Sequence, residues 1–530
     1  HAVEWVIKRM LVAFVLLGVF LYSIWHLFHL LPTSFVPNED QGYAMVAIIM
    51  PQSASLDRTQ AVAERVDAIL AKIPGVDRRS MLTGYSLIDA GYKANAATFF
   101  VTFKDFDTRY GSLASARSEN ARAILLAFYE EAKHIEEAIV LPIAPPAIPG
   151  IGTTGGFEFW IQDTAAGDPL KLDALTRAFL DKARTRPELA SLNSTFNAQA
   201  QQLRADVDRD KATLLGLQVQ DVYSAIQAQF GSLTASQFSQ FSRVWWVIVQ
   251  SDASFRQQPA DLTRLYTRNN QGKMVPLSAV VTTHWTVGPD ILPHFNGFPA
   301  AKVIGNPAPG FSSGQAIAAM EEVAGEILPA GYTFGWSGLS FEEKKSGGTS
   351  ALAFVFGLLI VFLVLAAQYE SWTLPGAVMT AVPFGILGAL LTNWARGLEN
   401  DVYFQIGLLV LIGLGAKNAV LRVSAAVDFR KQGKSIMEAT VLAGEQRLRP
   451  IIMTSLAFAF GCLPLALALG AGANARHSIG TGIIGGMIGE TTLAMLYVPL
   501  FFYLFDRLAE RRKGGGAPAA AAAPPTGQRE

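Results

Sequence analysis

Three ionisable side chains lie inside runs of apolar residues. Lys417 lies near the middle of the run 402–427, Arg422 lies just over one turn further along, and Glu490 lies inside the last apolar run. A charge in hydrocarbon is costly unless it is paired or hydrated, and such groups commonly form ion relays. We therefore interpret Lys417 as functional. Arg422 fits either a relay or a side chain that snorkels to the membrane surface, and Glu490 fits either a proton site or a partner for one of the cations.

Two short motifs resemble hydrolytic sites. Residues 310–314 match the G-x-S-x-G pattern of a nucleophile elbow, but prolines separate them from the preceding strand. We therefore favour a helix cap by Ser312 or Ser313. Residues 433–435 resemble the end of a phosphate loop, but Asp428 stands where its first glycine belongs. The sequence thus argues against an ATPase.

The sequence predicts no metal site. The seven histidines are scattered, and His26 with His29 at one helix end better fits a membrane interface than a metal centre. Cys462 is the only cysteine, so neither an intrachain disulfide nor a thiolate cluster can form.

The composition indicates a membrane protein with a large polar insert. Of the 530 residues 51% are hydrophobic and 16% are charged, whereas about a quarter are charged in a soluble domain. A net charge of zero gives no basic excess for nucleic acid. Six runs are apolar and long enough to span a bilayer: 10–31, 350–368, 374–394, 402–427, 451–469 and 480–504.

Basic residues predict the orientation of these six spans. They cluster before the first span, between the fourth and fifth, and after the sixth, and six crossings place all three clusters on one face, which should be cytoplasmic. The clusters are Lys8 and Arg9; Arg430, Lys431, Lys434, Arg447 and Arg449; Arg507, Arg511, Arg512 and Lys513.

The insert, residues 32–348, alternates between strand-like and helix-like patterns, which predicts an α+β fold. We predict strands at 43–50, 97–103, 157–162 and 244–250, and helices at 56–73, 115–131, 170–185 and 314–327. The tail 508–530 is rich in Gly, Ala and Pro, a composition that predicts disorder.

Ordered motifs along nearly the whole chain, apart from the tail, resemble the resistance-nodulation-division family. The likeness is closest to the hydrophobe/amphiphile multidrug exporters of Gram-negative inner membranes. The matching segments are 31–42, 308–310 with Ser313 and Gly314, 369–372 with Pro375, 400–405, 415–419, and 447–458.

The resemblance implies an architecture. Family members have two homologous halves, each with six helices and a large periplasmic loop, and this chain resembles the second half. The implied fold is a polytopic α-helical membrane protein with a large α+β periplasmic insert of βαβ-type porter subdomains and a docking subdomain. The implied parts are the start and first helix (1–31), a first porter subdomain (32–155), a second one in two parts (156–201 and 286–348), a docking insert (202–285), five further helices (349–507) and the tail (508–530).

The resemblance also implies a proton relay. A lysine of the tenth helix pairs in the family with two aspartates of the first half, assisted by an arginine and a threonine; the matching residues are Lys417, Arg447 and Thr454. Arg422 and Glu490 depart from the family pattern, where an apolar and a small residue are usual. The family needs no cofactor because the proton gradient drives it.

A substrate pocket is implied around a switch loop that maps near residues 84–93. Tyr85 and Phe100 keep the aromatic character of the family pocket, whereas Ser80 and Leu87 replace phenylalanines. Aromatic faces make adaptable contacts, so this exchange should shift the substrate range. Phe100 fits an ordinary strand core equally well.

The leading hypothesis is a proton-driven efflux transporter of amphiphilic compounds, not an enzyme, in a Gram-negative inner membrane. By resemblance it would be a homotrimer with a periplasmic adaptor protein and an outer-membrane channel, and would need the missing N-terminal half. The alternatives are an inactive or regulatory half-transporter, a metal-ion or lipid exporter of the same superfamily, and a membrane-anchored periplasmic serine hydrolase. The eleven dispersed methionines argue against metal export.

Overall fold

The computed structural model describes residues 2–512 apart from Ser53, Ala166, Gly348 and Ser371. The first elements are α1 (Ala2–Lys8), α2 (Met10–Leu30), β1 (Tyr43–Ile49), α3 (Leu56–Leu70), β2 (Val76–Ser86), β3 (Gly91–Phe103), α4 (Phe106–Arg109), α5 (Leu113–Ser118), α6 (Ala121–Ala132) and β4 (Ile139–Ile143).

The first sheet is antiparallel, with the strand order β2-β3-β1-β4. Alternation along the strands buries one face: Val46 and Ile48 of β1 and Phe99 and Val101 of β3 pack under α3 and α6. Since β3 lies between β1 and β2, the unit β1-α3-β2 is a split βαβ arrangement.

The chain continues with β5 (Phe157–Asp163), α7 (Pro169–Ala183), β6 (Leu189–Ser194), β7 (Ala200–Val207), α8 (Arg209–Leu214), α9 (Val219–Phe230), β8 (Leu233–Gln240), β9 (Arg243–Val249), β10 (Tyr266–Arg268), β11 (Met274–Pro276), β12 (Val281–Gly288), β13 (His294–Phe295), β14 (Phe298–Pro307), α10 (Ser313–Ile327) and β15 (Tyr332–Ser337). Short 3-10 helices lie at Ala253–Phe255, Pro259–Arg264 and Leu277–Ala279.

The second sheet repeats the order of the first. Its strands β6, β14, β5 and β15 correspond in position to β2, β3, β1 and β4, and β13 extends the sheet beside β14. Phe159 of β5 lies at its centre, stacked on Phe179 and Phe334 with ring centroids 5.2 and 5.3 Å away.

A separate compact unit comprises Ala166–Ala174 and Phe196–His294. Its strands β7 and β12 pair antiparallel, with Leu203 opposite Trp285. Both ends of the predicted insert 202–285 therefore lie side by side, as the ends of an insertion must.

The last elements are predominantly helical. They are α11 (Gly338–Ser346), α12 (Thr349–Tyr369), α13 (Thr373–Met379), α14 (Val382–Arg396), α15 (Val402–Lys431), α16 (Ile436–Ala466), α17 (Ala473–Gly489), a π-helical turn (Glu490–Ala494) and α18 (Met495–Arg512).

Within the described residues, five helical segments are long and apolar enough to cross a membrane: Met10–Leu30, Leu374–Arg396, Val402–Lys431, Ile436–Ala466 and Ala473–Arg507. The shorter apolar segment Leu352–Gln368 lies in α12. Five of the six predicted runs fall on these longer segments, and the run 350–368 overlaps the shorter one, so six spans stay a prediction. Helix α16 begins at Ile436 rather than at residue 451. α18 continues to Arg512, into the tail predicted from 508, and residues 513–530 lie outside the described residues.

Several local predictions were wrong in detail. Strand β2 was not predicted, and the strand predicted from residue 97 begins at Gly91. The helix predicted at 115–131 is two helices, because Asn120 caps α6 by accepting a hydrogen bond from the Ala123 N–H. The segment 84–93, predicted as a loop, is mostly the β2–β3 hairpin, in which Tyr85 pairs with Tyr92.

Arg109 is the largest fully buried side chain beside the first sheet. Its guanidinium donates to both carboxylate oxygens of Asp40, at 2.6 and 3.0 Å, and to the Glu119 carbonyl at 3.0 Å. The rings of Phe103 and Phe106 lie within 5.3 and 4.8 Å of it. A buried arginine is stable only with such compensation.

The environment of Asp40 favours its ionised form. Burial acts to raise the pKa of Asp40, but hydrogen bonds from Arg109, from the backbone N–H groups of Ala121 and Gly42 and from the Tyr110 hydroxyl outweigh burial and lower the pKa. The stability that Asp40 contributes is therefore present above its ordinary pKa and is lost as the pH falls through the lowered value.

We predict that Arg109→Met leaves the Asp40 carboxylate buried and unpaired, which costs about 3–5 kcal/mol. The thermal midpoint of the purified protein in detergent should fall clearly. Arg78→Met is the matched control, because the Arg78 side chain is 85% exposed beside Asp77 and such pairs contribute little. Equal midpoints for the two variants would contradict the assignment.

Candidate functional site

Lys417 and Arg422 lie on different faces of α15, because five residues correspond to about 1.4 helical turns. Lys417 belongs to an exposed stripe with Val410 and Gly413. No carboxylate in the described part of the chain lies within 4.0 Å of its ammonium group. The predicted relay lysine thus faces away from the rest of these helices.

Arg447 and Thr454 lie two turns apart on α16, which packs beside α15. Arg447 is half-buried, and its Nε has no hydrogen-bond partner among the described residues. Thr454 is exposed and donates to the Ile451 carbonyl at 3.0 Å. The three predicted relay residues therefore lie on adjacent helices, but among the described atoms none hydrogen-bonds to another.

Glu490 and Arg422 are buried on facing helices, 3% and 5% exposed. Glu490 Oε1 accepts a hydrogen bond from Asn418 Nδ2 at 3.1 Å, while its Oε2 has no partner among the described residues. Arg422 Nη1 donates to the Ala494 carbonyl at 3.2 Å, and no Arg422 nitrogen lies within 4.0 Å of the Glu490 carboxylate. Arg422 is therefore buried among the helices and forms no contact ion pair with Glu490.

Glycines bring α17 close to α14. A Cβ on Gly485 would lie 2.6 Å from the Gly388 carbonyl oxygen, and a Cβ on Gly489 would lie 2.5 Å from that of Phe384. Only glycine permits this approach. The turn that carries Glu490 follows directly and is therefore held against α14.

Residues 32–42, here called the junction segment, run from α2 towards the first sheet. The Pro32 carbonyl accepts from the Asn400 N–H at 2.8 Å, and the Phe35 carbonyl accepts from the Val402 N–H at 3.1 Å. The segment thereby fixes the start of α15, the helix that carries Lys417.

Asp401 caps α15 and links it to α17. Its carboxylate accepts hydrogen bonds from the Phe404 N–H at 2.7 Å and from the Ser478 hydroxyl of α17 at 2.8 Å. Burial raises the pKa of Asp401 to about 6, although these hydrogen bonds act in the opposite direction.

Two consecutive carboxylates of the junction segment hold different parts of the protein. Glu39 accepts from the backbone N–H groups of Ala475, at 2.6 Å, and Asn474, at 3.2 Å, in the first turn of α17. That position favours a negative charge. Asp40 binds Arg109 beside the first sheet. Sequence reasoning missed both roles, although the acidic pair lies in a segment that carries the family resemblance.

Glu343 of α11 lies at the same junction. Its Oε1 accepts from the Ser313 hydroxyl at 3.0 Å, and the neighbouring Gly314 N–H donates to the Thr33 carbonyl at 3.2 Å. Burial raises the pKa of Glu343 to about 7; the Ser313 hydrogen bond lowers it and the charge of Glu399 raises it further. The second sheet is thus joined to the junction segment beside a carboxyl that titrates near neutrality.

Two of the predicted pocket residues, Ser80 and Phe100, lie on the face of the first sheet opposite α3 and α6. Ser80, Phe100, Met45 and Ile143 are aligned across β2, β3, β1 and β4. Ser80 is exposed and Phe100 is 38% exposed, so Phe100 is not a core residue.

The other two predicted pocket residues lie at the far end of β2. Tyr85 contacts Tyr92 edge-on, with ring centroids 5.9 Å apart. Leu87 packs against a small apolar cluster that includes Ile88 and Ile304.

Both hydrolytic motifs are helix caps. Ser312 caps α10 in a capping box with Gln315, as predicted, and Ser313 donates to Glu343. Ser435 caps α16 in a capping box with Glu438. Among the described residues no group of three or more His, Cys, Asp and Glu side chains could hold a metal ion.

Residues 1–506 match the AcrB/AcrD/AcrF family. The chain belongs to this family. Its members of known name include the multidrug export protein AcrF of Escherichia coli, 41% identical over 486 residues, which are 91% of this chain and 46% of that protein. The toluene efflux pump membrane transporter TtgB of Pseudomonas putida is 39% identical over 485 residues, 92% of this chain and 45% of that protein.

The family assignment confirms the resemblance to the resistance-nodulation-division multidrug efflux transporters. A third relative, the multidrug resistance protein MdtF of E. coli, is 37% identical over 91% of this chain and 46% of that protein. The chain spans about half the length of these relatives. All three are named as transport or resistance proteins, none as an enzyme.

We predict that Glu343→Gln stabilises the protein at pH 8 and has little effect at pH 4. A carboxyl with a raised pKa is protonated more readily in the folded state, so its penalty appears as the pH rises from about 4.5 to above 7 and amounts to no more than about 3 kcal/mol. Thermal midpoints measured across this range test it. The exposed Glu136→Gln is the control, and a pH-independent effect of Glu343→Gln would contradict the assignment.

We predict that Glu39→Ala speeds amide exchange in the first turn of α17, because two N–H groups lose their acceptor. Loss of a helix cap lowers the local opening free energy by about 0.5–2 kcal/mol. Hydrogen-exchange mass spectrometry of peptides that cover Asn474 and Ala475 measures this, with Glu131→Ala as the control. Unchanged exchange in the Glu39 variant would show that the contact does not hold this helix.

Proposed function

We propose that this chain forms the second half of a proton-driven transporter that exports amphiphilic compounds, including drugs. The observation that carries the proposal is the position of Lys417. It lies midway along the 30-residue helix α15, on an exposed stripe, without a carboxylate within 4.0 Å among the described residues. A lysine cannot face lipid there at low cost, so it needs an acidic partner from another part of the transporter.

Two aspartates of the first half, which the family resemblance implies, would supply that partner. When the aspartates are ionised they attract the Lys417 ammonium group, and when they bind protons the attraction weakens. Lys417 then moves, and α15 adopts one arrangement when the aspartates are ionised and another when they are protonated. Arg447 and Thr454 on the neighbouring helix would hold water or carboxylate oxygens during this exchange.

The exposed part of the face of the first sheet opposite α3 and α6, around Ser80 and Phe100, is the proposed substrate surface. Phe100 offers a half-exposed ring beside Ser80, and Tyr85 offers a second aromatic face. Such faces make non-directional contacts with apolar molecules. The names of the relatives, which mention toluene and multidrug export, fit a surface of this kind.

The proposed assembly is a homotrimer in the inner membrane, joined to a periplasmic adaptor protein and an outer-membrane channel. The hairpin β8–β9 supports a second copy as one partner. Almost every residue of this hairpin is exposed, including Trp245, Trp246 and Ile248. A two-stranded ribbon with apolar side chains this exposed is marginal alone and is stabilised by a partner surface. The sheets would lie on the periplasmic side of the membrane. The proton gradient would supply the energy for transport, so no cofactor would be needed.

Dye efflux from a pump-deficient Gram-negative host tests the proposal. The complete gene should confer efflux that a protonophore abolishes, and Lys417→Ala should remove nearly all of it while leaving the protein in the membrane. Lys431→Ala, at the end of the same helix, is the matched control and should retain efflux. Efflux that persists in Lys417→Ala would refute the relay assignment.

A further inference from the structure

Glu490 is a buried carboxylate with an incomplete set of partners. One oxygen accepts from Asn418, and the other has no hydrogen-bond partner among the described residues. Gly415 leaves the space beside this oxygen open: a Cβ there would lie 3.3 Å from Oε2. An ionised carboxylate held by one hydrogen bond and no contact ion pair is poorly compensated. A proton on Oε2 would remove that charge without moving the side chain.

The groups on the elements packed against Glu490 leave it as the natural proton acceptor. The charged residues of α15 are the outward-facing Lys417, Arg422, and Asp428, Arg430 and Lys431 near its end. Those of α16 are Glu438, Glu445, Arg447 and Arg449, all in its first half. Two further titratable groups, Cys462 of α16 and Tyr497 of α18, are ordinarily neutral at pH 7, and Tyr497 donates to the Ala13 carbonyl at 3.1 Å. From α14 the closest approach is by the backbone of Phe384 and Gly388 to Gly489. Among these cations Arg422 is the buried one, and it forms no contact ion pair with Glu490.

Arg422, which is buried on the helix facing Glu490, binds the backbone of the π-helical turn. Arg422 donates to the Ala494 carbonyl at the end of that turn, at 3.2 Å. π-Helical turns often mark functional sites. Arg422 also lines a cavity of about 10 Å³ with Thr440 and Pro499, which has room for about one water molecule.

We infer that Glu490 is a second proton-binding group of the membrane helices, whose charge state is coupled through Arg422 to the π-helical turn. The inference rests on the proposed function. In the step itself an O–H bond forms between Oε2 and a proton taken from water on the periplasmic side, and the same bond breaks when the proton leaves to cytoplasmic water. When Glu490 is neutral, Arg422 loses its one facing anion and depends on the Ala494 carbonyl alone.

Infrared difference spectra recorded between acid and alkaline pH test the inference on the complete transporter in lipid. The unmodified protein should show a carboxylic acid band that disappears as the pH rises. The band should be absent in Glu490→Gln and retained in Glu445→Gln, an exposed glutamate on α16. In Arg422→Gln it should persist to higher pH, because a nearby cation favours the carboxylate.

An identical titrating band in Glu490→Gln would overturn the inference. If Glu490→Gln does not fold, the double variant Arg422→Gln and Glu490→Gln, which removes both charges, decides the question by the same criterion. The spectra require no transport. A failed efflux test at Lys417 would therefore refute the proposed function without deciding this result, and the reverse also holds.

Discussion

The junction segment, together with Asp401, supplies the oxygens that accept hydrogen bonds from the first N–H groups of α15 and α17. The first N–H groups of any helix lack partners within the helix, and burying them unpaired is costly. At α17 the acceptor is Glu39, and at α15 the acceptors are the Phe35 carbonyl and Asp401. The residue after Glu39 binds Arg109 beside the first sheet. A few hydrogen bonds thus link the positions of α15 and α17 to the position of the first sheet.

Two charged side chains of α15, Lys417 and Arg422, lie on different faces of the helix, one exposed and one buried. Lys417 lies on the open face, where a partner from outside this chain can reach it, and Arg422 lies on the closed face opposite Glu490. Proton binding near Lys417 and proton binding at Glu490 would therefore both act on α15. Removing Arg422 or Glu490 alone would leave the other charge buried without its counterpart, whereas removing both would leave a neutral interior.

Local patterns predicted much of the fold. Alternation located β1, β5 and β9, and helical periodicity located α3, α7 and α10, because these signals depend on neighbours in the sequence. The strand β2 was missed because it lies at a sheet edge and its burial does not alternate cleanly. Contacts such as Asp40 with Arg109, or Glu39 with Ala475, join residues far apart in the sequence, and no local pattern encodes them. The exposure of Lys417 likewise depends on which helices surround α15, so apolar flanks alone suggested burial.

Helix α17 lies between the residues bound by the junction segment and the π-helical turn that carries Glu490. Glu39 and Asp401 bind its first turns, and the π-helical turn that carries Glu490 follows its last residue. Between these points its glycines touch the backbone of α14, so α17 has little freedom to bend and is expected to move as a rod. A change in the charge of Glu490 that weakens or strengthens the hydrogen bond from Arg422 to the Ala494 carbonyl would therefore act on α17, the helix whose first turn Glu39 binds. Since Glu39 and Asp40 are adjacent, a displacement of that element reaches Arg109 and the first sheet through two residues.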